Sequence, residues 1–86
     1  MVNILAIKKD LAKRVRLRRR EGKLSQAELG QRSGVSFGSI RRFETTGEIS
    51  LANLLRIAVV LGYTNDFSKL FERKNYQSLD EIILGV

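Results

Sequence analysis

The chain has 86 residues, sixteen basic against nine acidic side chains for a formal charge of +7, and no histidine, cysteine, proline or tryptophan. That length suits one domain without a second, catalytic one, and the missing residue types exclude a Ser-His-Asp triad, a thiol nucleophile, a redox cysteine pair and an ordinary zinc site. A hydrophobic content of 43% is too high for a disordered tail, while the longest apolar runs, such as Ile57 to Leu61, fall well short of the ~18 residues that cross a bilayer.

The first helix is predicted from Asn3 or Ile4 to Glu21, with Gly22 supplying the left-handed residue that ends it. Met1 to Ile7 is apolar too briefly, and without a preceding basic region, to read as a signal peptide, so a bacterial-type cytoplasm is expected, with nucleoid association when bound. At ~100° per residue, Ile4, Ile7, Leu11 and Val15 fall on one stripe and Lys9, Lys13, Arg16 and Arg20 on the opposite one. Residues 8–23 hold nine basic groups against Asp10 and Glu21, so the remainder of the chain sums to zero. Such a concentration is the footprint of a protein that meets a polyanion. The apolar stripe is narrow and lacks aromatics, which favours a core role over a membrane surface.

Ser25-Gln26-Ala27-Glu28 has capping-box spacing and opens a second helix that stops at Gly34. Ser36 caps a third, about Phe37 to Thr45, in which Ile40 and Phe43 share a face. Thr45 to Glu48 reads as a loop. Ser50 caps a fourth helix, Leu51 to Leu61, with a core stripe of Leu51, Leu54, Leu55, Ala58 and Leu61, and Gly62 stops it. Thr64 or Asn65 caps a short fifth helix whose Phe67, Leu70 and Phe71 make an apolar face. In the tail, Ser78 to Glu81 again has capping-box spacing ahead of Ile82, Ile83 and Leu84, which fits a last helical turn or a short strand. The fold class is all-α: five helices over residues 1–71, followed by a C-terminal extension, 72–86.

Residues 24–44 make a helix, a tight glycine-containing turn and a second helix, the helix-turn-helix arrangement. It demands apolar Leu29, Val35, Ile40 and Phe43 to lock the two helices, a small Gly30 where they cross, and Gly34 in the turn. "LSQAELGQRSGVSFGSIRRFE", preceded by "VRLRR" and followed by "ISLANLLRIAVVLG", resembles the lambda-repressor-like (Cro/C1, Xre-type) DNA-binding domain over about residues 10–71.

The resemblance implies a sequence-specific regulator of transcription, a repressor that binds double-stranded DNA as a homodimer on a palindromic operator, with no enzymatic activity and no cofactor or metal. Gln26 would hydrogen-bond a phosphate at the positive end of the second helix. Helix three would enter the major groove with Ser36, Phe37, Gly38 and Arg42 facing bases or adjacent phosphates and Ser39 and Arg41 on the flanks. Arg42 could pair bidentately with guanine. Arg19 would bridge toward Glu44 and approach the phosphates.

The sequence departs from the family pattern in three places. Phe37 and Gly38 stand where polar base-readers are common, Lys23 stands where glycine usually precedes "LSQ", and Glu44 and Gly47 are one residue farther apart than in the usual Glu-x-Gly. "GEISLANLLRIAVVLG", followed by "DFSKLF" and "SLDEII", is similar to HipB-type antitoxins, which implies a short C-terminal extension that dimerises or contacts a HipA-like kinase toxin. The alternative is that Tyr76, Leu79 and Ile82 pack back on helix one.

Overall fold

Short polar side chains start four of the helices in this computed structural model, which describes residues 2–74. Asn3, Ser25, Ser36 and Ser50 each accept a hydrogen bond from the backbone N–H three residues on, satisfying a donor that the first turn leaves without a partner. The elements are α1 (Ile4–Glu21), α2 (Gln26–Ser33), α3 (Phe37–Thr46), α4 (Leu51–Leu61) and α5 (Thr64–Ser68), with no strand among the described residues. The all-α, five-helix expectation holds. The turn or strand anticipated over residues 78–84 lies outside the described residues.

The end of α1 differs from the glycine expectation. Gly22 has φ −77°, and the left-handed position falls to Lys23, at φ +58°. The reason is hydrogen bonding: the N–H groups of Lys23 and Leu24 donate to the carbonyls of Arg20 and Arg19 at 2.9 and 3.2 Å, a Schellman closure that needs its left-handed residue one place later. This is the position where the related domains carry glycine.

The predicted loop from Thr45 also gives way. Thr45 and Thr46 continue α3, their hydroxyls donate to the carbonyls of Arg41 and Arg42, and Gly47 ends the helix at φ +81°. The wider Glu44–Gly47 spacing is therefore taken up inside the helix. A Cβ on Gly47 would come within 2.9 Å of the Lys8 backbone, so α1 and the end of α3 touch directly there.

Two clusters form the core. Leu29, Val35, Ile40 and Ile57 join α2, the turn, α3 and α4, while Ala12, Phe43 and Leu54 join α1, α3 and α4, and Val15 packs against both. The lock residues behave as the motif requires: Leu29 and Ile40 are wholly buried, and Val35 and Phe43 nearly so. Gly30 must be small, because a Cβ there would lie 2.7 Å from the Val35 carbonyl oxygen.

Three predicted faces are corrected. On α1, Ala12 is buried and Leu11 and Val15 half-buried, but Ile4 and Ile7 are exposed. Helix α1 spans ~27 Å against ~15 Å for the ten-residue α3, so its first turns run past the body on which it packs. On α4, Ile57 replaces Leu51 in the core; Leu51, in the first turn, is exposed, and Leu55 and Leu61 are half-buried. On α5, neither Thr64 nor Asn65 caps the helix, which follows Tyr63, and only Phe67 of the expected apolar face is partly covered; Leu70 and Phe71 are exposed.

Candidate nucleic-acid interface

Helix α3 divides its circumference cleanly. Ile40 and Phe43 face inward, and at ~100° per residue Phe37, Gly38, Arg41, Arg42 and Thr45 share one outward arc of roughly 140°, all exposed. Phe37, at 49% exposure, does not fold back into the core as a staple. Gly38 has open space where a Cβ would stand, so no packing constraint explains its small size. Ser36 is the N-cap, accepting from the Ser39 N–H at 3.1 Å and donating its own hydroxyl to Ser39 Oγ at 2.8 Å, which keeps both hydroxyls at the start of the helix.

Arg42 borders a polar concavity with Ser39, Glu48, Ile49, Ser50 and Asn53, between α3 and the start of α4. Lys8 forms an ion pair with Glu48, tying α1 to this corner. The Lys8 hydrogen bond, followed by its charge, holds Glu48 below the ordinary carboxylate range, with a smaller contribution from Arg42. Sequence reading missed this group because its members, from residues 39–53, meet only when α4 folds back. It also left out Thr45, which stands four residues after Arg41, at the expected end of the helix.

Behind α3 sits a charged hub. The Arg19 guanidinium forks onto Glu44, Nε to Oε2 at 2.8 Å and Nη2 to Oε1 at 2.9 Å, while Nη1 donates to the Leu24 carbonyl at 2.7 Å. Both side chains are over nine-tenths buried, and the Gln26 amide donates to Glu44 Oε1 at 3.1 Å. Arg16 stands 3.9 Å away on the solvent side. Burial alone would raise the Glu44 pKa, but the hydrogen bonds from Arg19 and Gln26 and the charges of Arg19 and Arg16 outweigh it, leaving the carboxyl below its ordinary value. The structure thus joins Arg19, Gln26 and Glu44 into one unit that fixes the start of α2 against α3. Arg19 is turned inward, while Gln26 remains half-exposed at the positive end of α2.

Of the eight residues singled out from the sequence, Ser36, Phe37, Gly38, Arg41 and Arg42 thus lie exposed on α3 or at its cap, Ser39 is half-buried beside them, and Gln26 and Arg19 form the hub behind. The basic stripe of α1, Lys9, Lys13, Arg16 and Arg20, is exposed. Among the described residues no cluster of acidic side chains could hold a metal ion, and no helix is long and apolar enough to cross a membrane.

Two short helices crossed at a glycine, the second with a buried back and an exposed front, define the class of helix-turn-helix DNA-binding domains. A family model described as helix-turn-helix matches residues 15–66, more than half of the chain, and the chain belongs to this family, the lambda-repressor-like (Cro/C1, Xre-type) proteins. No curated protein and no solved structure gives a significant match.

Proposed function

We propose that the chain is a sequence-specific transcriptional regulator, a non-enzymatic repressor that inserts α3 into the major groove and binds a palindromic operator as a homodimer. The observation that carries this reading is the bare arc of α3, set on a helix whose opposite side is wholly committed to the core. Arg42 reads a guanine edge, Phe37 meets a thymine methyl beside the open Gly38, and Ser36, Ser39 and Arg41 hold the flanking backbone. Gln26 reaches a phosphate at the start of α2, and Arg19 supports that contact by fixing Gln26 and Glu44. Residues 1–71 form the DNA-binding unit and residues 72–86 an extension of it.

Dimerisation follows from interface size. A single small module buries only ~600–1,000 Å² on DNA, and two copies on half-sites about 34–36 Å apart supply operator-level affinity. Selection of bound sites from random duplex DNA tests the reading: an inverted repeat with half-site centres one helical turn apart is expected, and recovery of unrelated sequences would refute it. The second reading, an antitoxin that holds a HipA-like kinase inactive and autoregulates its own transcription, rests on the similarity of residues 47–62, 66–71 and 78–83 to HipB-type antitoxins. It predicts co-purification of a kinase with the full chain and loss of that kinase on removing residues 72–86.

A further inference from the structure

On a duplex an arginine meets two kinds of acceptor, the neutral edge of a guanine and the charged oxygens of a phosphate. Arg42 is open to both. Its guanidinium makes no ion pair among the described residues, and its carbonyl accepts the Thr46 hydroxyl at 2.7 Å. The concavity it borders would draw an anion, because the start of α4 opens into it at Ser50 and Asn53, adding a positive helix end to the arginine.

Glu48 lines the same concavity with a carboxylate. Three contacts place it there. Its N–H donates to Thr46 Oγ1 at 3.1 Å, so one threonine ties the backbones of Arg42 and Glu48 together. Lys8, which stands outside the concavity, pairs with Oε1, while Oε2 accepts no hydrogen bond among the described residues. The side chain is 47% exposed, and the Arg42 charge helps to keep it ionised although the two form no direct ion pair.

We infer that Glu48 determines specificity by keeping backbone phosphate out of the concavity beside Arg42, which leaves the arginine fork to a base edge. The inference rests on the proposed insertion of α3 into the major groove. A phosphate carries a full negative charge and is repelled by the carboxylate, whereas guanine O6 and N7 are neutral acceptors and are repelled far less. On DNA lacking the right base, Arg42 would otherwise fall back on a phosphate. Glu48 weakens that fallback, and so widens the gap between cognate and random duplexes.

Fluorescence anisotropy of the full chain on its selected site and on random duplex, over a range of salt, tests the inference. Glu48→Gln should tighten random binding roughly three- to tenfold more than cognate binding, the scale of one screened charge–charge interaction at a surface. Its log–log salt slope on random DNA should steepen by about 0.9, one further phosphate neutralised. Both changes should disappear when Arg42→Ala is already present, since the phosphate is taken by that arginine. Steepening that persists without Arg42 would assign the gain to the freed Lys8 and overturn the inference. Asp10→Asn, on an exposed carboxylate of α1, alters net charge equally and should leave the cognate-to-random ratio unchanged; a matching fall in that ratio would also overturn it. Lys8→Met breaks the same ion pair but keeps the carboxylate, so the ratio should hold or rise; a fall like that of Glu48→Gln would make the tie, not the charge, responsible. Loss of cognate affinity in Glu48→Gln at a single cytosine would mean direct base reading by Glu48 and sink the exclusion role. A wild-type chain without sequence preference would refute the proposed function itself, whereas a preference untouched by Glu48→Gln would overturn this inference alone.

Discussion

The Arg19–Glu44 pair shows how one sequence position can serve geometry rather than ligand. Glu44→Ala would leave a guanidinium in a site where it is 8% exposed, and should cost about 3 kcal/mol in chemical denaturation, as expected when one partner of a buried pair is removed. Arg19→Met with Glu44→Leu together should cost less than Glu44→Ala alone, because no charge is then stranded. The same carboxyl sets an acid limit. Its folded pKa lies below the ordinary value of 4.5, so the folded chain holds fewer protons there than the unfolded one. Its stabilisation is complete above that ordinary value and drains away as pH falls through the lowered one. Glu44→Gln should flatten the acid limb of a stability–pH curve; the limb will not vanish, since Glu28 and Glu48 are lowered in the same range, Glu28 chiefly by its hydrogen bonds with Ser25. Lys23, in a left-handed position, gives the opposite kind of test: Lys23→Gly should raise stability by about 1 kcal/mol, or ~4–8 °C in the melting temperature by circular dichroism.

At the scale of the helices, two helical glycines have contrary roles. Gly30→Ala drives a methyl into the Val35 carbonyl, a backbone atom that cannot give way, and should destabilise by about 1–3 kcal/mol. Gly38→Ala meets open space on the first turn of α3 and should stabilise by up to ~1 kcal/mol through helix propensity, while placing a methyl on the face assigned to bases. The pair of denaturation midpoints checks both signs. Within α3 and α2 the assigned roles separate by specificity. Arg42→Ala should relax sequence preference by about 1–3 kcal/mol at one base position, whereas Gln26→Ala should weaken cognate and random duplexes alike. Equal losses on all DNA for both variants would contradict the division between base and phosphate contact.

For the molecule as a whole, the proposed function makes the +7 charge a source of affinity. It is concentrated between Lys8 and Lys23, with four of the nine basic groups there on the outer stripe of α1, where on the proposed reading they draw the domain toward phosphates without reading sequence. Arg19, spent on Glu44 in the interior, adds nothing to it. Duplex affinity should therefore fall steeply with salt, with a log–log slope steeper than about −3 in a titration followed by fluorescence anisotropy. A flat response would contradict phosphate neutralisation as the source of binding.

Much of the fold was legible because it is written in local chemistry. A serine ahead of α2, α3 and α4, glycines at 34 and 62, and the spaced apolar residues 29, 35, 40 and 43 state their structural roles within a few neighbours, and those roles hold. The basic α1 and the residue types offered by α3 were equally plain.

What the chain by itself determined is therefore the class of fold, the DNA-binding family and the two helices that make its helix-turn-helix. Tertiary structure decided the rest: that Lys23 rather than Gly22 turns left-handed, that α3 continues through Thr46, that Ile57 rather than Leu51 enters the core, that Arg19 points inward, and that Glu48, Ser50 and Asn53 stand beside Arg42. The physical reason is range. Caps and periodicity act over three or four residues, whereas burial and charge pairing depend on which distant segment arrives, and α1 meets the segment between α3 and α4 across forty residues of sequence at Lys8 and Glu48.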